Sequence, residues 1–204
     1  MPITLGPNWQ TGLWASQYSL RFELGTGGSY INMFTSSYDR ARRLARAALP
    51  TDRVTAVIAA YPHLDVVVGR EWRGWTEGTA WEILSEMGVP TEKTSKSWLG
   101  YWWPGDDADE EASQWDQRAV CLPWDQVDIL IWNQIAHEIG IGPQAPVMTK
   151  FVDLERGVVV NAYDDRGMDI TALEKSALTP LMAEFDEWLL DYDRPRMVLT
   201  FDLD

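Results

Sequence analysis

In residues 16–24 the chain alternates: Tyr18, Leu20, Phe22 and Leu24 are apolar, while Gln17, Ser19, Arg21 and Glu23 are polar. This period of two is that of a half-buried strand, and the following GTGG stops it. The stretch SSYDRARRLARAALP (36–50) then changes period. Leu44, Ala45, Ala48 and Leu49 fall at helical spacing between an N-cap serine and Pro50, which predicts a helix. RVTAVIAAY (53–61) reads as a β-branched strand and LDVVVGR (64–70) as another candidate. A second helix is predicted over 76–90 from Trp81, Leu84 and Met87, with Gly88 placed to cap it. RAVCLPW (118–124) predicts a short strand. Residues 125–140 carry Val127, Ile131, Ile135 and Ile139 at steps of four, the stripe of a helix that ends at Gly140. VMTKFVDL, GVVVNAY and MDITAL predict three strands joined by tight turns. TPLMAEFDEWLLDYDRP (179–195) predicts a last helix with Thr179–Pro180, or Ser176, at its start. Its core face would be Leu181, Phe185, Trp188 and Leu189, and its end Pro195.

Strands cluster late as a meander instead of alternating strictly with helices, so the expected fold class is α+β. It is a mainly antiparallel sheet with helices packed on it. No Pro/Ser/Gly linker divides the chain and no repeat is visible, so residues 1–204 are expected to form a single α+β domain. About 91–117 lies an irregular, Trp-rich, acidic insertion with no clear period.

Composition sharpens this. The 204 residues are 46% hydrophobic with 12 Trp, enough apolar surface for a large core. No apolar run approaches the roughly 18 to 20 residues of a membrane helix, and the start lacks a secretory pattern. With one cysteine, Cys121, no intramolecular disulfide can form, and a cytoplasmic location is expected. The net charge of −14, from 31 acids against 17 bases, repels phosphate backbones and attracts basic partners. Nucleic acid is thereby disfavoured.

Catalytic signatures are sparse. His63 follows a strand and could serve as a general base. His137 lies in AHEIGI, where a zinc-protease helix would need histidine at Ile141, so no metal site is expected. The apolar neighbours of Cys121 predict an inert core thiol. ELGTGGSY meets only the tight-turn requirement of a phosphate loop. DDADEE (106–111) lacks the alternation and glycine of a calcium loop, and Gln117 stands where its bidentate Glu would be. Its other reading is a partner-binding patch. Trp98, Trp102 and Trp103 would supply contact area, and Asp106, Asp107, Asp109, Glu110 and Glu111 would pair with basic side chains. YDDRG (163–167) and YDR (192–194) each set a Tyr and an Asp against an Arg. They could form carboxylates of split pKa for acid–base work, or a turn and a helix end.

The stretch from Asn161 to Met197, VNAYDDRGMDITALEKSALTPLMAEFDEWLLDYDRPRM with its preceding Val, resembles the C-terminal signature of a bacterial family known as domain of unknown function 3885. SLRFELG, DRARRLARAAL and CLPWDQVD resemble that family's weaker upstream landmarks. The resemblance implies no catalytic residues and no cofactor. It singles out Tyr163, Asp164, Asp165, Arg166, Gly167, Asp169, Trp188, Asp191, Tyr192, Asp193 and Arg194. Asp191 and Asp193 would sit at the negative end of the last helix dipole, so Arg166 or Arg194 is expected to meet them in a structural clasp. Arg194 could also reach Asp164 or Asp165. The leading expectation is a non-enzymatic acidic protein that binds a basic protein partner, most concretely an immunity protein against a toxin. The alternative is a small hydrolase or transferase that uses the 163–167 and 192–194 groups.

Overall fold

The computed structural model describes residues 3–60, 78–102 and 114–201. A seven-stranded sheet organises them: β1 (Ser19–Glu23), β2 (Arg53–Ala60), β3 (Lys96–Tyr101), β4 (Gln114–Pro123), β5 (Val147–Asp153), β6 (Val158–Ala162) and β7 (Gly167–Ala172). The spatial order is β1-β7-β6-β5-β2-β4-β3 and every neighbouring pair is antiparallel. The helices are α1 (Thr11–Trp14), α2 (Tyr30–Ala48), α3 (Ala80–Glu86), α4 (Trp124–Ile139), α5 (Thr179–Glu184) and α6 (Arg194–Phe201). The fold is α+β.

Both faces of the sheet are covered, which explains the unbroken apolar runs in β2 and β6. On one face Phe22, Ile58, Phe151, Val160 and Ile170 pack against the α2 stripe of Ala41, Leu44, Ala45 and Ala48 and the α4 stripe of Val127, Ile131 and Ile135. On the other, Val57, Ala59, Val152 and Val159 meet Trp9 and Leu13 of the N-terminal segment together with Trp102 and Trp115. Burial of these large aromatic rings removes a substantial apolar area from water, at about 25 cal/mol per Å².

Four expectations are revised. The segment 91–117 is regular in part: β3 pairs with β4, which starts at Gln114 and runs to Pro123. Trp102 is fully buried, because a sheet with two covered faces needs aromatic bulk on its second side. Helix α2 starts at Tyr30, earlier than residue 36, because the Ser29 hydroxyl accepts the Asn32 N–H as an N-cap. The predicted last helix is three pieces. After α5 comes a 3-10 turn over Asp186–Trp188, then Leu189 bridges to Phe22, with Leu190 N–H donating to Arg21 O at 2.9 Å. This covers part of the free edge of β1. Pro195 then lies in the first turn of α6, where its missing N–H costs nothing; it helps open a helix instead of closing one.

Candidate functional site

Strand register puts single polar residues side by side. Arg21 on β1 faces Asp169 on β7, and Asp169 faces Asn161 on β6. One step beyond the last β5–β6 pair, Phe151–Val160, Lys150 on β5 and Asn161 on β6 line the same cavity, and Lys150 faces Val57 on β2. A row Lys150–Asn161–Asp169–Arg21 therefore crosses four strands on the face covered by the N-terminal segment. Lys150 is 1% exposed and Asn161 6%.

Each end of the row is tied down. Arg21 Nε donates to Asp169 Oδ1 at 3.0 Å and Nη1 to Asp193 Oδ2 at 2.7 Å, with the guanidinium 6.0 Å from the Tyr163 ring centroid. Burial raises the Asp169 carboxyl above the usual carboxylate range, and the Arg21 charge and hydrogen bond oppose that rise. Burial also raises the Tyr163 phenol. At the other end Lys150 Nζ donates to Gln10 Oε1 and, at 3.0 Å, to Trp102 O, and it lies 4.1 Å from the Trp102 ring centroid. Burial pushes the amine down to about 7. Between the ends is a cavity of about 140 Å³ lined by Trp9, Gln10, Leu13, Ser16, Ser19, Lys150, Val159, Asn161, Asp169 and Thr171. Asn161 Oδ1 is buried without a hydrogen-bond partner among the described residues. Chemically this is a polar floor under an apolar roof.

The motif residues separate into different tasks. Asp164 closes the β6–β7 hairpin: its Oδ1 accepts from the Arg166 and Gly167 amides at 2.8 and 2.9 Å, and its Oδ2 accepts from Arg166 Nε and Nη2 at 2.9 and 2.5 Å. Asp165 is buried, and its main-chain oxygen accepts from the Ser37 hydroxyl of α2 at 2.5 Å. Its carboxyl is raised first by burial and then by Asp164. Arg194 holds Asp186 at 2.7 Å and reaches Asp191 at 3.5 Å. A clasp between hairpin and C-terminal segment does exist, but its cation is Arg21, which bridges Asp169 to Asp193. Arg166 turns back to its own hairpin, and Arg194 meets neither Asp164 nor Asp165 within ion-pair distance. Asp193 precedes the N-terminus of α6, where a negative charge is favoured, so the expected dipole penalty is reversed. Asp165, Asp193 and Arg194 do not converge.

Of the aromatic patch, Trp98 is half-buried against the second core cluster and Trp102 is inside it. Trp103, Asp106, Asp107, Asp109, Glu110 and Glu111 lie outside the described residues, as do His63 and the candidate strand 64–70. Cys121 is exposed, because its buried neighbours Val120 and Leu122 point to the opposite face of β4. His137 is partly buried and its imidazole is lowered by that burial. No group of three or more metal-ligating side chains occurs among the described residues, and no described helix is long and apolar enough to cross a membrane.

Arg21, Lys150 and Asn161 carry no motif. Asn161 interrupts the apolar run of β6, whereas Arg21 belongs to the alternation of β1 and Lys150 follows Thr149 in β5, and only the register shows that these positions coincide. The model of a family described as Domain of unknown function (DUF3885) matches residues 8–193, a span that begins just before Trp9 and Gln10 and ends on Asp193. Neither the curated proteins nor the solved structures contain a match.

Proposed function

The chain belongs to the DUF3885 family, and we propose that it is a non-enzymatic acidic binding protein for a basic protein partner, most concretely an immunity protein that neutralises a toxin in the cytoplasm. One observation carries this reading: every arginine in the described residues is already engaged within the protein. Arg21, Arg42, Arg46, Arg118, Arg156, Arg166, Arg194 and Arg196 are ion-paired to its own aspartates. Arg40 and Arg53 donate to main-chain oxygens, and Arg43 stacks on Trp188 at 4.7 Å. Lys150 is interior. The arginines are thus engaged internally, eight of them by the protein's own aspartates, and the excess of acids that gives the net charge of −14 is what the protein offers to a partner. Such a field accelerates encounter with basic surfaces and discriminates against acidic ones.

The acids Asp106, Asp107, Asp109, Glu110 and Glu111 are the densest run in the sequence and make the natural docking element. The test is to mix the purified protein with candidate toxin domains, measure co-elution and toxicity, and repeat the binding at raised salt. The expected result is a complex that blocks toxicity, weakens with salt, and loses on-rate when these five are changed to Asn or Gln. Unchanged elution and unchanged toxicity across the candidates would sink the reading.

A further inference from the structure

Asp169, the carboxylate of the polar row, is only half satisfied. Its Oδ1 accepts from Arg21 Nε at 3.0 Å, whereas its Oδ2 has no hydrogen-bond partner among the described residues and 27% of the side chain stays accessible. Arg21 is shared, moreover: it meets Asp193 at the shorter distance of 2.7 Å, and Asp193 has a second arginine, Arg196, at 3.8 Å. Residual negative charge is therefore left on Asp169. The same side chain lines the cavity of about 140 Å³, where well-packed interiors leave few voids larger than a water molecule. Half-exposed Ser16, Ser19, Asp169 and Thr171 form the rim of that space, and buried Trp9, Leu13 and Val159 its apolar walls.

We propose that this cavity binds a small primary alkylammonium ion, its charged head on Asp169 Oδ2 at the rim and its tail between Trp9, Leu13 and Val159. An ammonium carries three N–H donors. One bonds to Asp169 Oδ2 with charge assistance. A second can reach Ser19 Oγ, on the next cross-strand pair of the same face, which accepts from Thr171 at 3.1 Å and keeps a further lone pair. The third faces water. As for size, an apolar cavity of about 150 Å³ admits the six carbons of benzene, and the four non-hydrogen atoms of propylammonium need less room than that.

Charge and orientation follow from the surroundings. The net charge of −14 draws cations to an open site and repels anions, and a neutral alcohol would forgo the charge-assisted bond. Lys150 lies on β5, two strands from Asp169 on β7, roughly 10 Å away at about 4.8 Å per strand. The inner end of the cavity thus carries an amine that burial keeps partly neutral and takes the uncharged tail, while the head stays at the rim.

The test is run on the full chain at about pH 7, where a simple alkylamine is protonated, with calorimetry and the Trp9 indole N–H signal in NMR as readouts. Propylammonium should bind saturably in the millimolar range, as so small a ligand allows, with propionate and propanol at least tenfold weaker. Methylammonium, which has no tail, should also be at least tenfold weaker, and hexylammonium, which is too long for the cavity, no tighter than propylammonium. Asp169→Asn keeps an acceptor for Arg21 and removes the charge at the rim. Once its thermal melt shows a folded chain, it should bind propylammonium about tenfold more weakly, the value of one charge-assisted hydrogen bond. The proposal is overturned if propylammonium gives no saturable signal, as a cavity that takes only water would behave, or if propionate or propanol matches it. It is equally overturned if affinity climbs steadily from methylammonium to hexylammonium, the mark of unspecific apolar contact, or if folded Asp169→Asn binds as tightly as the parent. Should Asp169→Asn not fold, the ligand series on the parent chain decides alone.

Discussion

Replacing Lys150 with Met keeps the length of the side chain and removes its ionisable end. In the folded protein the amine is lowered by burial from an ordinary 10.5 to about 7. Between pH 7 and 10.5 the unfolded chain therefore binds nearly one more proton at this site than the folded one does. Stability rises with pH wherever the unfolded state holds more protons. Burial of the ammonium is thus most costly at and below pH 7 and the cost is gone above 10.5. The interval corresponds to about 5 kcal/mol at 1.36 kcal/mol per pH unit, a ceiling because Gln10 Oε1, Trp102 O and the Trp102 ring all favour the charged form. Lys150→Met also removes the donor to Gln10 Oε1, a cost of about 1–3 kcal/mol, while Trp102 O keeps its bond from Gln10 Nε2. At pH 7 the two effects oppose each other; at pH 10 only the lost hydrogen bonds remain, and the variant is the weaker protein. Urea titrations at half-unit intervals from pH 6.5 to 10 give the difference in unfolding free energy directly, with every other titrating group shared. The difference should open in favour of the parent by roughly 1 kcal/mol per pH unit above pH 7. Parallel curves would refute the reasoning, since they would mean that Lys150 titrates alike in both states.

Two further substitutions probe the other parts of the site. Arg21→Met removes the cation between Asp169 and Asp193 and should cost about 2 kcal/mol at pH 7, below the 3–5 of a fully buried broken pair because Arg21 is partly exposed. Since the Asp169 carboxyl is raised by burial, the loss measured by urea unfolding should shrink as the solution is made acid and Asp169 takes up a proton; a loss that stays constant with pH would assign it to packing. Gly167→Ala would place a Cβ at 1.9 Å from Tyr163 Oη and 2.4 Å from Tyr163 Cζ, so it should destabilise by about 2–3 kcal/mol. Tyr163→Ala in the same chain should recover part of that in thermal melts, and a simple sum of the two losses would show that the contact is not the cause.

The regular elements were legible wherever one local period dominates. β1 alternates cleanly, α4 repeats at four, and the β5–β6–β7 meander is punctuated by turn residues, and each lies close to its expected place. The sequence does not distinguish one last helix from three short pieces, because Leu181, Phe185, Trp188 and Leu189 fit a helical stripe equally well as pieces that turn the same side chains inward. Pro195 is also ambiguous by itself, since the residue that stops one helix can sit in the first turn of the next. The polar row was illegible for a deeper reason. Lys150, Asn161, Asp169 and Arg21 are separated in sequence by everything from eight residues to more than a hundred, and only strand pairing makes them neighbours. Composition places Trp102 in an outward patch, because nothing local reveals that the sheet has a second covered face.

The row also accounts for which parts of the chain must be present together. Gln10 reaches it from the N-terminal segment and Trp102 from the end of β3, while Asp193 reaches it from the start of α6. Three remote segments therefore meet on one line of the sheet through charged or strongly polar bonds, where apolar contact alone would tolerate sliding. Directional bonds to buried groups are costly to break singly, so they fix the register of each segment against the sheet. The acidic run that begins at Asp106 follows Trp102 by only a few residues. The Trp102 main-chain oxygen, held by both Lys150 and Gln10, is thus the anchor from which the proposed docking element departs. A change at Lys150 should reach a partner through that anchor, and through the outward charge hardly at all, because Lys150 is buried. Lys150→Met should accordingly alter the dissociation rate of the complex while leaving its salt dependence unchanged; the Asn and Gln replacements in the acidic run should do the reverse.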